Sequence, residues 1–189
     1  MSFENLTIGL IGAGNMARAL VRGLLKAGHP AGRLQVADPD PAQLEQVVAL
    51  HASVGIHGDN KDVAGVADVL VLAVKPQLMA DVARQIAAGP RRAGQLILSV
   101  AAGITLGSLR GWFGTDARLV RDSVISAASL DAPKVLPLDL IEWAARRKRS
   151  AWFSVRALRS SASIPDASSR KVSTSSAANS APTVFSSAA

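Results

Sequence analysis

Gly12, Gly14 and Ala17 stand at the spacing Gly-x-Gly-x-x-Ala, directly after an apolar run and directly before a helical pattern. That arrangement suits a diphosphate. Gly12 permits a tight turn, Gly14 has no Cβ to hold phosphates off the backbone, and Ala17 is small enough for helix and strand to pack closely. The backbone N–H groups that follow open a helix, where unpaired donors and the helix dipole favour an anion. A glycine turn can also merely join a strand to a helix. Here the strand before it and the helix after it are both legible, which favours the nucleotide reading.

Three further places carry chemistry, each at the end of an apolar run. Asp38 follows Gly14 by about two dozen residues, near the spacing of the acid that bonds an adenosine ribose. An acid there repels a 2′-phosphate and favours NADH over NADPH by charge. Asp38 also opens Asp38-Pro39-Asp40-Pro41, where it reads equally as a turn carboxylate; both readings stand. Lys75 leaves its strand where a nicotinamide ribose would lie, and Pro76 presets the backbone for the helix that follows. A lysine at a strand end is otherwise simply solvated. Ser99 to Gly103 is a run of small residues that would admit a flat ring, or that packs a loop on the sheet. Arg33 precedes its strand and falls at the opposite edge.

These positions need a sheet to bring them together. The pattern from Asn5 to about Arg121 alternates strand and helix. Strands are expected over 6–11, 34–37, 54–56, 68–74, 95–100 and 118–120, apolar nearly throughout, as in a parallel sheet covered on both faces. Helices are expected over 14–27 with Gly28 as stop, from Pro41 with Leu44, Val47, Val48 and His51 buried, and over 61–66. Two more follow, from Pro76 with Leu78, Met79, Val82 and Ile86 at helical spacing, and over 105–112. The fold class is α/β, a Rossmann-like doubly wound parallel sheet, with its ligand crevice at the carboxyl ends of the strands.

Composition narrows the function classes. The 189 residues contain no cysteine, so there is no disulfide, thiolate metal site or cysteine nucleophile. His29, His51 and His57 form no constellation with acids at metal spacing and read as surface or packing residues. No metal site is expected, and no catalytic side chain declares itself. No apolar run approaches the ~18–20 residues of a membrane span, and the N-terminus lacks a signal-peptide layout. A soluble cytoplasmic protein is the expectation. The formal charge is +7, of which residues 1–121 carry 12 basic against 9 acidic side chains. The remainder holds Arg146 to Arg149, Arg156, Arg159, Arg170 and Lys171. Without interleaved aromatics on a nucleic-acid fold, that run reads as a solvated basic tail rather than a nucleic-acid surface.

The ordered motifs IGLIGAGNMARAL, ADPDP, VLVLAVKPQ, LILSVAAGITL and ARLVR resemble the N-terminal domain of pyrroline-5-carboxylate reductase. The resemblance covers residues 1–121. It implies a pyrophosphate site at Ile11, Gly12, Ala13, Gly14, Asn15 and Met16, and an adenosine side at Asp38 and Asn60. Ala73, Val74, Lys75 and Pro76, with Val100, Ala101 and Ala102, would line the nicotinamide end. In that family NADPH or NADH reduces the C=N bond of 1-pyrroline-5-carboxylate to give L-proline, without a metal. Ala-Val-Lys-Pro after the fourth strand favours this enzyme over coenzyme-F420-dependent NADP reductases and hydroxyacid dehydrogenases, which share the turn.

After Arg121 the resemblance stops. The family continues with Met-Pro-Asn-Thr-Pro and a helical domain that dimerises and holds the substrate carboxylate. Here Asp122-Ser123-Val124-Ile125-Ser126 follows, as an out-of-frame reading or a fused fragment would give. Residues 122–189 read as a basic Ser/Ala/Arg-rich, poorly ordered tail with one short helix near 136–147. Three functions follow as expectations: an impaired reductase, a binding module that holds NAD(P) without catalysis, or a basic adaptor acting through residues 146–171. The family homo-oligomer has no support in this chain.

Overall fold

The computed structural model describes residues 3–121 and the two-residue strand Phe153–Ser154. Seven parallel strands form one sheet: β1 (Ile8–Ile11), β2 (Leu34–Ala37), β3 (Gly55–His57), β4 (Val69–Leu72), β5 (Leu96–Ser99), β6 (Arg118–Arg121) and β7 (Phe153–Ser154). Their spatial order is β3-β2-β1-β4-β5-β6-β7. Ile8 of β1 pairs with Leu34 on one side and Val69 on the other, and Val69 pairs in turn with Leu96. The order reverses between β1 and β4, which places a crevice at their carboxyl ends.

Strand residues alternate between two apolar layers because successive side chains point to opposite faces. Ile8, Leu10, Val36, Val69, Val71 and Leu98 pack with Leu20, Val21 and Leu24 of helix α1 (Asn15–Lys26) and with Leu44 and Val47 of α2 (Pro41–Val48). Leu70, Leu72, Ile97 and Leu119 face the other way. There they meet Val63 of α3 (Asn60–Val66), Met79, Ala83 and Ile86 of α4 (Met79–Ala87), and Leu109 and Phe113 of α5 (Leu106–Phe113). A sheet covered on both faces explains why its strands read as unbroken apolar runs.

Helix ends follow local chemistry. Asp40, Asp59 and Thr105 cap α2, α3 and α5 by accepting the amides of Ala42, Lys61 and Ser108. Gly28, at φ 86°, ends α1 with its amide on Leu25 O and the His29 amide on Leu24 O, a Schellman arrangement.

Several expectations need correction. Val48 is 36% exposed and His51 is exposed, so neither belongs to the buried face of α2. The helix stops at Val48, and His51 lies beyond it, its Nδ1 accepting the Ser53 amide at 3.2 Å. Leu78 is 52% exposed, because Pro76–Leu78 forms a 3-10 turn before α4 begins at Met79. The tighter turn changes the angular phase, carrying Leu78 off the buried stripe. The fourth strand spans 69–72 rather than 68–74; Asp68 borders it, its amide on Thr7 O and its carbonyl accepting the Leu96 amide, while its carboxylate accepts the Thr7 amide at 2.9 Å and pairs with Arg92. Phe153–Ser154 pairs with β6 at Val120 and Arg121, a strand the tail's composition did not signal. The helix expected near 136–147 lies outside the described residues.

Candidate functional site

One row of main-chain hydrogen bonds runs across the carboxyl ends of the strands. Asp38 N–H donates to His57 O, Gly12 N–H to Ala37 O, Ala73 N–H to Ile11 O, and Val100 N–H to Leu72 O. Each loop therefore leaves the sheet fastened to its neighbour. The row brings Ile11, Gly12, Asp38, Ala73 and Val100 to one edge.

Gly12 and Gly14 serve this edge differently. Gly12 has φ 94°, a left-handed conformation that side chains disfavour. A Cβ there would also meet Ala73 O and Val74 Cγ1, both at 3.1 Å. Gly14 has φ −66° and ψ −175°, open to any residue, and among the described residues a Cβ on it would meet nothing within 4 Å. The packing of the described residues thus explains Gly12 but fills no space beside Gly14. Gly14 is the N-cap of the 12-residue α1 and makes no side-chain cap bond. Among the described residues, no acceptor takes the amides of Gly14, Asn15 or Met16. Those donors and the positive end of the helix dipole fit a diphosphate.

Between the two glycines, Ala13 is fully buried, and both of its backbone polar groups are held by side chains. Asp38 Oδ2 accepts its N–H at 2.7 Å, and Arg18 Nη1 donates to its carbonyl at 2.8 Å. Arg18 also donates to Gln43 Oε1 on α2 and to Asn15 Oδ1. Sequence reading did not single out Arg18 or Gln43. The available signal was only an arginine one turn into the helix, and its partner lies 25 residues away.

Asp38 resolves into a turn carboxylate that also stands at the edge. Its Oδ1 accepts the Asp40 amide at 2.9 Å, while Oδ2 reaches back to Ala13. A carboxylate has about four lone-pair sites, so these two bonds leave acceptors for ribose hydroxyls. Ala17 is buried against the first apolar layer, and Met16 packs partly on it.

The remaining sites fall in two groups. Ala73 and Val74 pack beside Gly12, and Lys75 and Pro76 follow them, exposed, where the chain turns into the 3-10 segment. Val100 and Ala101 are buried after β5, and Ala102 is exposed. Asn60 stands apart in its contacts: at the start of α3 it donates to Gln85 Oε1 on α4 at 2.9 Å. His29 is buried as a packing residue, and His57 Nε2 lies 2.8 Å from Gln35 Oε1 at the sheet margin. No group of three or more metal-ligating side chains occurs among the described residues, and none of their helices is long and apolar enough to cross a membrane.

This geometry has relatives. A family model described as NADP oxidoreductase, coenzyme F420-dependent, matches residues 7–103. The pyrroline-5-carboxylate reductase of Pseudomonas aeruginosa is 40% identical over 114 residues, covering 60% of this chain and 41% of that protein. A solved pyrroline-5-carboxylate reductase from Coxiella burnetii shares 34% identity at a TM-score of 0.58, covering 61% of this chain and 43% of the other. The crystal structure of Plasmodium falciparum pyrroline carboxylate reductase, with NADP bound, shares the fold at 24% identity and a TM-score of 0.54, over 62% and 42% of the two chains. The chain spans about two fifths of the length of these relatives.

Proposed function

The chain belongs to the family described as NADP oxidoreductase, coenzyme F420-dependent, and from that premise we propose that residues 1–121 are a dinucleotide-binding domain for NADPH or NADH. The observation that carries this is Gly14, where a side chain would meet none of the described residues and where three successive amides have no acceptor among them. Ile11, Gly12, Ala13, Gly14, Asn15 and Met16 would hold the pyrophosphate, and Asp38 and Asn60 the adenosine side. Ala73, Val74, Lys75 and Pro76, with Val100, Ala101 and Ala102, would take the nicotinamide ribose and ring.

The likeness to pyrroline-5-carboxylate reductases, together with the Ala73-Val74-Lys75-Pro76 turn, supports an imine as substrate. When bound, the dihydronicotinamide supplies a hydride to the C=N carbon of 1-pyrroline-5-carboxylate, whose protonated nitrogen becomes the amine of L-proline. The chain's part is to fix the diphosphate on the turn amides and to exclude water behind the small residues after β5. The domain is incomplete at its C-terminal end in this reading, a cytoplasmic reductase of reduced activity. A second reading, a module that binds the coenzyme without turnover, is favoured by residues 122–189, which carry none of the motifs that continue the family after Arg-Leu-Val-Arg.

Titrating the full chain with NADH and NADPH tests the domain. Saturable binding of either supports it, and none at millimolar concentration removes it. Adding the imine to the loaded protein and following nicotinamide absorbance then separates reductase from module.

A further inference from the structure

We infer that Arg18 is a positioning residue for the coenzyme diphosphate: by holding the carbonyl of Ala13 it aims the Gly14 amide, while Asp38 holds Ala13 from its other side. The inference rests on the coenzyme reading above and adds to it a residue that would not touch the ligand.

Ala13 lies outside the strand ladder and is fully buried, so its polar groups need partners from elsewhere. Both partners are charged side chains, and charge-assisted hydrogen bonds are the stronger kind. Arg18 reaches the carbonyl at 2.8 Å and Asp38 the amide at 2.7 Å. A trans peptide is planar, with C=O and N–H pointing in opposite directions. Fixing Ala13 O on the Arg18 guanidinium therefore turns the Gly14 N–H to the opposite side of that plane. Gly14 itself has no Cβ to meet a neighbour there.

The same guanidinium reaches beyond the turn. It donates to Gln43 Oε1 at 2.7 Å and to Asn15 Oδ1, so α1, α2 and the turn share one donor group. Three protein acceptors occupy Arg18, which argues for an orienting brace rather than a free cation waiting for phosphate. Gln43 completes the brace, since an amide oxygen adds an acceptor without a competing charge.

The test compares Arg18→Met and Arg18→Lys with the wild-type 189-residue chain. NADH and NADPH affinities are measured at low and high salt, and the Gly14 amide resonance is followed in coenzyme-free protein. Arg18→Met should weaken both coenzymes about tenfold, the value of one lost charge-assisted bond. The factor should be the same at both salt concentrations, and the Gly14 resonance should shift before any coenzyme is added. Arg18→Lys, which keeps a donor, should recover part of the affinity. If Arg18→Met does not fold, Arg18→Gln carries the same comparison. Unchanged affinity, an unmoved Gly14 resonance, or a loss that disappears at high salt would each overturn the inference; the last would make Arg18 a direct phosphate contact. A wild-type chain that binds neither coenzyme would instead remove the coenzyme reading and this inference with it.

Discussion

The carbonyl oxygen of Ala73 lies 3.1 Å from the point that a Cβ on Gly12 would occupy, so the turn after β1 and the loop after β4 meet at this glycine. With φ at 94°, Gly12 carries both a conformational and a steric demand. Gly12→Ala should therefore lower unfolding free energy by about 1–3 kcal/mol, the range for a strained left-handed residue. Chemical denaturation measures it; a variant as stable as wild type would contradict the geometry.

Gly14 should behave in the opposite way. Its backbone is extended and no described residue would crowd a side chain there, so Gly14→Val should change stability by no more than about 1 kcal/mol, mostly from a poorer N-cap. Binding of NADH and NADPH should be lost, because the isopropyl group would occupy the space assigned to phosphate. Retained affinity would place the diphosphate elsewhere.

Gly9 tests the packing beneath the site. A Cβ on it would sit 2.5 Å from Val63 Cγ1 and 2.8 Å from Ala67 Cβ, so β1 must lack a side chain for α3 to lie this close. Gly9→Ala should destabilise by about 1–3 kcal/mol through overpacking. Adding Val63→Ala should return part of that loss, a coupling that a double-mutant cycle reads directly. Strict additivity would mean the two positions do not touch.

His29 predicts a pH dependence. Burial, and then the Arg33 charge, push its pKa below the ordinary value, against a hydrogen bond to the Leu6 backbone and the Glu4 charge. The unfolded chain then takes up the proton first as pH falls through about 6.5. Stability should be full above that value and decline below it, until the folded-state pKa is reached. Comparing denaturation midpoints at about pH 7.5 and 5.5, His29→Gln should show a smaller decline than wild type. Equal slopes would take His29 out of the titration.

The order of strands and helices through Arg121 was legible because both faces of the sheet are covered, leaving apolar runs that only buried strands require. Gly28 could be read as a stop because a Schellman turn needs φ above zero. Leu78 and Val48 were read onto apolar stripes that they do not join, since a 3-10 turn and an early helix end shift the phase of the stripe by a residue or two. Asp38 carried two readings in sequence, and its hydrogen bonds show that one carboxylate closes the Asp40 turn while also reaching the glycine turn. Arg18 was illegible for a different reason. Its role depends on Gln43, which only the fold brings alongside. Phe153–Ser154 escaped notice because a strand of two residues has no periodicity to detect.

The main-chain bonds stitched along the strand ends have a thermodynamic corollary. Four loops are tied to their neighbours at the point where they leave the sheet, so a guest laid across those strand ends would find less backbone freedom to surrender. Preorganisation of that kind raises affinity without enlarging the contact area. Capture of the guest would then proceed by simple one-step association, with no slow rearrangement trailing the encounter.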